Sequence, residues 1–468
     1  MVLMTGDSVI VEGWYKRRNY PHFDREVSER VAARLVTNPQ EIARHSFYPF
    51  IRRELKAPRY QRQNDGQGGT TGKVSSKRRR VCFAAHLDAH IYSYYSKLLC
   101  QHYEEWLETH DIAETPTAYR RLLDHGKAEC GRKSKARGKT SIHFAKEVFD
   151  FILSQEACIV IALDVERFFD NIDHALLKQA WMEVLGVERL EPDHYAVFRS
   201  ITRYAYVNER RLRKVPACQE FLRLPRKDQA GRRICTPREF RNQVRGNGHV
   251  LKTRIRKGIP QGSPISPMLS NIYMAPFDER VRAALREVGG LYRRYSDDMI
   301  LICSVDDAEG IEARVMDLVG WRNLSINESK TERVKFARIC EGVYEWEREE
   351  GVNRPLQYLG FEFDGEHIRI RASSTTRYNR RMRRAVRRTA KEAEHALAHG
   401  QSGKIRKRKL YERFNHLGRR TFVSYANRAS HIMLDDAIRG QMKRHQEALN
   451  QEIKRCQPRG REVSDSLP

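Results

Sequence analysis

Apolar residues recur at two different periods along this chain, and the change of period marks out its elements. Between 84 and 106, Leu87, Ile91, Tyr94, Tyr95, Leu98 and Leu99 return at helical spacing, which predicts an amphipathic helix. The same period returns over 142–152. Residues 157–163 break it. That run is wholly apolar, β-branched and too short for an ordinary helix, so it predicts a buried central strand. Leu291 and Tyr292, with 299–303, outline two more strands about an acidic turn. Phe361-Glu362-Phe363, Asp364-Gly365 and 367–370 read as a hairpin, Asp-Gly supplying the positive-φ turn. The polar, Gly-rich stretch 64–72 predicts a flexible loop, 126–139 a second polar and basic stretch, and the last dozen residues a disordered end.

Charge changes the picture. The chain has 468 residues, with 87 Lys and Arg against 60 Asp and Glu, a formal charge of +27. Such an excess calls for a polyanionic partner, nucleic acid first. It is concentrated in two places. Residues 208–257 hold 16 basic and 4 acidic residues with few apolar anchors, and read as an excursion from the core. Residues 376–420 hold 16 against 3, about half of the net charge. Met382, Val386, Leu397, Leu410, Phe414, Leu417 and Phe422 allow this second segment to be a small basic helical domain. The apolar content of 40% is enough for a sizeable core. The longest clean apolar run has seven residues against the roughly 20 of a spanning helix, so no membrane span is expected. No signal core opens the chain, and nine scattered cysteines lack a CxxC pair. The expectation is a cytoplasmic protein without zinc or disulfide scaffold.

Three stretches carry candidate chemistry. Asp164 ends the apolar run 157–163, where a cation can reach it, although a strand-ending Asp is more often a cap or turn residue. Asp297 and Asp298 stand together between apolar strands, which is costly as mere packing because like charges repel. In Lys257-Gly258-Ile259-Pro260-Gln261-Gly262-Ser263-Pro264-Ile265-Ser266-Pro267, the glycines allow close backbone approach. Ser266 reads as a helix cap and Pro267 as the first helical residue.

Together and in this order, the three resemble the palm motifs of the reverse transcriptase family: a first Asp motif, a Pro-Gln-Gly loop and a Tyr-x-Asp-Asp hairpin, here Tyr295-Ser296-Asp297-Asp298. Asn327-Glu328-Ser329-Lys330-Thr331 is similar to the later Lys motif, and Gln357-Tyr358-Leu359-Gly360-Phe361 to the primer-grip hairpin. The resemblance covers about 110–370 strongly and the ends weakly. It implies an α+β right-hand polymerase: an N-terminal region (1–55), fingers (56–156), an antiparallel-sheet palm (157–370) with the basic excursion 208–257, a helical basic thumb (371–445) and a disordered tail (446–468).

The implied activity is RNA-directed DNA polymerisation with two divalent cations, Mg²⁺ or also Mn²⁺. By carry-over, Asp164 and Asp297 bridge the ions, with Asp298 nearby and the Val165 carbonyl as a further ligand. Asp170 and Asp173 do not match metal positions and read as structural or cap residues. Phe169, five residues after Asp164, matches the steric gate against a 2′-hydroxyl, and Phe168 the core aromatic beside it. Gln261 and Gly262 fall by the incoming base pair and template, and Lys330 is placed to protonate pyrophosphate. Thr117-Ala118-Tyr119-Arg120 is similar to a fingers segment, which assigns Arg120, and secondarily Lys139, to the triphosphate. The expected partners are an RNA template, a DNA product and dNTPs, and the oligomeric state is open.

Retron signatures are missing, and no HNH nuclease pattern follows the primer-grip hairpin. The Tyr20-Pro21-His22-Phe23-Asp24 segment and an expected helix from Arg79 to Tyr95 resemble the unknown-group, defence-associated enzymes, which implies copying of an associated non-coding RNA in antiviral defence. A retron-like or group II intron-like enzyme, an RNA-copying RNA polymerase and a catalytically silent RNA-binding scaffold remain as alternatives.

Overall fold

In a computed structural model of the chain, residues 4–5, 8–9, 11–64, 70–124, 137–229, 231–349, 351 and 354–457 are described. The architecture is α+β, as expected from the motifs. Its centre is the apolar run, which forms strand Ala157–Asp164. It lies in the middle of a five-stranded antiparallel sheet ordered Leu291–Tyr295, Asp298–Cys303, Ala157–Asp164, Glu332–Cys340, Val343–Arg348.

The wholly apolar sequence is explained by burial on both faces. Successive strand side chains point to opposite sides. Ile159, Ile161 and Leu163, with Met299 and Leu301, enter a core shared with helices His86–Thr109, His174–Leu185 and Ser266–Glu287. Cys158 and Val160, with Ile300 and Ile302, enter a second core. That core joins helix Ser141–Leu153 to the C-terminal helices, the longest of which is Ala372–Ala398. Asp164 and Asp298 share the parity of the second set. The carboxylates therefore sit on the sheet face that carries the arginine-rich C-terminal helices.

The expected hairpin forms within a small three-stranded sheet, Leu356–Tyr358, Phe361–Phe363 and Ile368–Ile370. Gly365 turns with φ +86°, and a Cβ there would collide with the Tyr344 carbonyl.

Several expectations need correction. The stretch 64–72 is not simply a loop. Strands Phe50–Asn64 and Thr70–Phe83 pair along their whole length as a long antiparallel ribbon, and 65–69 fall outside the described residues. The boundary expected at 55/56 therefore cuts a strand, and the one at 445/446 cuts helix His445–Arg455. The basic segment 208–257 is not a coreless excursion. Leu212, Val215, Cys218, Phe221, Ile234 and Val244 build a third buried cluster, completed by Phe23 and Ile51 from far away in sequence. Ser266 is the first residue of its helix rather than its cap. Ile265 caps, Pro267 is second, and the Ser266 hydroxyl donates to the Pro260 carbonyl at 2.7 Å. Leu397 and Leu417 are exposed, not core. Most of the stretch 126–139 and the last eleven residues, 458–468, fall outside the described residues. Among the described residues no helix is long and apolar enough to cross a membrane.

Candidate active site

Asp164 and Asp298 stand directly opposite each other on neighbouring antiparallel strands. Like charges in this arrangement repel, so the pair needs a cation. Lys330 supplies one, its ammonium donating to Asp164 Oδ1. The Lys330 turn, Glu328–Lys330, is tied to the strand end by Asn327 N–H donating to the Asp164 carbonyl at 2.8 Å. Asp298 opens to the cleft. Crowding by protein and the charges of Asp297 and Asp164 push its carboxyl up to about 6, while Lys330 and Arg371 oppose the shift. Asp297 lies on the two-residue turn, and its carbonyl accepts the Val165 N–H at 3.1 Å. That bond joins the two acidic motifs into one unit, with Val165 buried.

The turn itself is held from beneath. Ser296 has φ +63°. Its carbonyl accepts from Arg294 Nη1 at 3.1 Å, and Arg294 forks onto Asp278 at 2.7 and 2.6 Å with both side chains fully buried. Tyr292 donates a third bond to Asp278 at 2.8 Å. Tyr119 meets the Ser296 hydroxyl at 3.2 Å. The sequence reading missed this network. The available signal was a pair of arginines in a strand between apolar and aromatic residues, where a buried arginine has to find a buried acid.

Phe169 and the Pro-Gln-Gly loop are also joined. Phe168 is buried and Phe169 only partly so. The Phe169 carbonyl accepts Ile259 N–H at 2.9 Å, and Ile172 accepts Gly258 N–H at 2.7 Å. Gly258, at φ +86°, leaves no room for a Cβ beside the Asp170 carbonyl. The Gln261 carbonyl accepts Cys82 N–H at 2.8 Å, which ties the loop to the base of the ribbon. Gly262 has φ +107° and packs so tightly there that a Cβ would strike Cys82. Asp173 caps helix His174–Leu185 by accepting from Ala175 and Leu176 N–H.

Two of the assigned side chains are engaged elsewhere in this structure. Arg120 is not available to a triphosphate. Its guanidinium is buried on Glu104, Nε to Oε1 at 2.8 Å, and donates to the Ala113 and Pro116 carbonyls. It is a structural residue because Glu104, from the preceding helix, takes its charge. Lys139 is likewise engaged, with Glu147 at 2.6 Å. The positive charge at the site comes from elsewhere. A cleft of about 1110 Å³ is lined by Asp164, Asp298 and Lys330, together with Arg79, Arg354, Arg371 and Arg377. Asp297 does not contribute to this wall. Arg371 immediately precedes the long arginine-rich helix. Its Nε donates to Gln357 Oε1 at 2.7 Å, and Gln357 in turn donates to Glu362 at 2.8 Å.

Among the described residues, no three His, Cys, Asp or Glu side chains form a ready-made metal-ligand group. Asp164 and Asp298 face each other, and the charges of both Asp297 and Asp164 act on Asp298. The donor set still suits a hard divalent cation, because it is all oxygen. Lys330 already occupies the place of a positive charge there, so the residues fit such an ion once the lysine leaves Asp164.

Among solved structures, the chain is similar to an apo telomerase from Candida tropicalis, at 12% identity and TM-score 0.39 over 91% of this chain and 64% of that one. It is also similar to a telomerase from Candida albicans in complex with a fragment of telomeric RNA, at 10% identity and TM-score 0.37 over 89% and 66%. A truncated Candida tropicalis telomerase matches at 10% identity and TM-score 0.37 over 68% of this chain and 56% of that one. The chain thus spans between 56% and 66% of the length of these telomerases. The family model for reverse transcriptase (RNA-dependent DNA polymerase) matches residues 121–363, which hold both acidic motifs, the Pro-Gln-Gly loop and the Lys330 turn. With more than half of its length matched, the chain belongs to the reverse transcriptase family.

Proposed function

We propose that this protein is an RNA-directed DNA polymerase that adds dNTPs by two-metal nucleotidyl transfer. The observation that carries the reading is the opposed pair Asp164 and Asp298 at the open end of a buried sheet, in a cleft whose charged lining is otherwise Lys330 and four arginines against the single acid Glu332. Asp164, Asp297 and Asp298 would hold Mg²⁺ or Mn²⁺, which when bound activates a primer hydroxyl and offsets charge on the triphosphate. Lys330 neutralises Asp164 in the metal-free protein and is released to protonate the departing pyrophosphate. Arg79, not Arg120, faces the triphosphate from the ribbon. Phe169 lies under the sugar as the gate against rNTPs, and Gln261 with Gly262 borders the base pair. Arg371, oriented by Gln357, draws the strand end toward Asp298. The helix Ala372–Ala398 is the thumb and grips the duplex through its arginines.

The defence role, copying an associated non-coding RNA, is part of this proposal. It rests on the N-terminal resemblance, and the segment in question is built into the fold. Asp24 accepts from His86 at 2.9 Å and from Leu87 N–H at 3.0 Å, which locks Tyr20–Asp24 onto helix His86–Thr109.

The test is divalent-dependent dNTP incorporation on an RNA template. Asp164→Ala and Asp297→Ala should each abolish incorporation while RNA affinity stays nearly intact, because phosphate contacts elsewhere supply most of it. Full incorporation by either variant overturns the assignment. Binding without incorporation by the unaltered protein favours the silent scaffold. Sequencing the nucleic acid that copurifies with the protein tests the defence reading.

A further inference from the structure

The ribbon has two different faces. Leu55 and Arg79 are register partners and line the catalytic cleft. Glu54 and Arg80, the next pair, point the other way, as alternation requires. There they border a separate groove of about 380 Å³, together with Arg52, Asn208, Arg210 and Arg211. The far wall is the short helix Glu209–Leu212.

The charges of this groove are unevenly matched. Glu209 is taken by Arg53 at 2.5 Å and by Arg213 at 3.2 Å. Glu54 is approached by Arg78 at 3.5 Å. Arg80, Arg210 and Arg211 are exposed and have no acidic partner among the described residues. Arg52 is pre-set. Its guanidinium lies 3.6 Å from the centroid of the Tyr206 ring and donates to Asn208 at 3.1 Å. A planar guanidinium fixed by stacking loses little freedom when it forks onto a phosphate. Three unmatched arginines in so small a space repel one another unless an anion enters.

We propose that this groove is a second nucleic-acid site, taking the phosphodiester backbone of the template strand where it lies outside the catalytic cleft. The proposal rests on the polymerase reading above. The template is favoured over the product duplex because the cleft has two rims. The arginine helix, with its own groove along Arg380, Arg383, Arg384 and Arg387, flanks one rim and the ribbon the other. A duplex seated on the helix sends the uncopied strand toward the ribbon. Arg78, Arg79 and Arg80 follow one another on its outer strand, so a strand crossing that edge passes from the cleft to the groove.

The test uses the full chain carrying Arg80→Ser, Arg210→Ser and Arg211→Ser, and three primed RNA templates. One ends at the copied nucleotide, one carries a long single-stranded 5′ extension, and one carries a longer primer duplex instead. Affinity for the 5′-extended template should fall about fifty-fold at roughly 0.15 M salt, and its salt slope should flatten by about two, at ~0.7 for each phosphate left without its arginine. Affinity and incorporation on the short template should match the unaltered protein. Equal weakening on all three templates, weakening confined to the longer duplex, or no weakening overturns the proposal. Should the triple variant fail to fold, Arg210→Ser with Arg211→Ser, both exposed side chains, gives the same comparison with a slope change of about 1.4. If the unaltered protein incorporates nothing on any template, the polymerase reading fails, while the binding comparison still decides the groove.

Discussion

Removing Asp278 separates what holds the fold together from what aims the acidic turn at Asp297. Arg294 and Asp278 are both fully buried, and their fork is the counter-charge for each. Burial works against the Arg294 charge, and Asp278 outweighs it, holding the guanidinium protonated. Asp278→Leu leaves a buried cation without a partner. Breaking one side of such a pair costs about 3–5 kcal/mol. The Tyr292 hydroxyl, which donates to the same carboxylate, adds about 1–3 kcal/mol when orphaned. Replacing all three groups, as Asp278→Leu with Arg294→Met and Tyr292→Phe, removes the unpaired charge and the orphaned phenol, and leaves only the neutral Ser296 carbonyl and Asn271 Oδ1 without the Arg294 donor. Stability should return to within about 2 kcal/mol of the parent, because apolar replacement of a buried ion pair is often neutral or better. Activity should not return with it. The Ser296 carbonyl then has no donor, and the strained residue at φ +63° no longer has its anchor. A displacement of the turn by about 1 Å is enough to cost on the order of a hundredfold in rate. Urea unfolding and single-turnover dNTP incorporation on the single and triple variants measure the two effects. A triple variant that is stable and fully active refutes the reasoning, since the turn would then need no arginine. A single variant within about 1 kcal/mol of the parent refutes the burial argument itself.

Three further outcomes are expected. Phe169→Ala should raise rNTP use relative to dNTP, and an unchanged ratio in paired incorporation assays would place the gate elsewhere. Neutralising Arg380, Arg383, Arg384 and Arg387 on helix Ala372–Ala398 should weaken binding of all RNA sequences alike and flatten the salt dependence by about 0.7–0.9 for each phosphate no longer neutralised, with weakening confined to one sequence counting against backbone grip. Stability should fall on acidification through His22. Burial lowers its pKa to about 4 against the nearby Asp24, which stands at 3.8 Å, so the unfolded chain binds a proton that the folded one refuses below the ordinary value near 6.5. Its contribution is whole above that value and is lost as pH falls toward 4, reaching about 2 kcal/mol of destabilisation by roughly pH 5. His22→Gln should make the measured pH slope of unfolding shallower, and an identical slope would assign the acid sensitivity to other groups.

Local pattern was sufficient wherever the neighbours of a residue in sequence are also its neighbours in the structure. An apolar run with no polar alternation has to be buried on both sides, so 157–163 could be placed at the centre of a sheet without any structure. An acid at the end of that run and a pair of acids in a tight turn between strands had to emerge at a sheet end. Gly365 marked a positive-φ turn, and Gly258 and Gly262 marked close backbone approach, because both follow from the missing Cβ of a single residue. Charge was different, because a charge acquires its role from a partner that the sequence does not point to. Arg120 and Arg79 are alike as letters. One is closed off by Glu104 on a neighbouring helix, and the other is left open on the cleft that Asp164 also lines. The basic segment 208–257 looked coreless because two of its core residues, Phe23 and Ile51, lie more than 150 positions upstream. The Arg294–Asp278 anchor, the register that opposes Asp164 to Asp298, and the two faces of the ribbon were likewise decided by long-range packing. The sequence determined which residues could do chemistry; tertiary contacts determined which charges were neutralised and which remained to meet a substrate, since burial and distance set the energy of a charge.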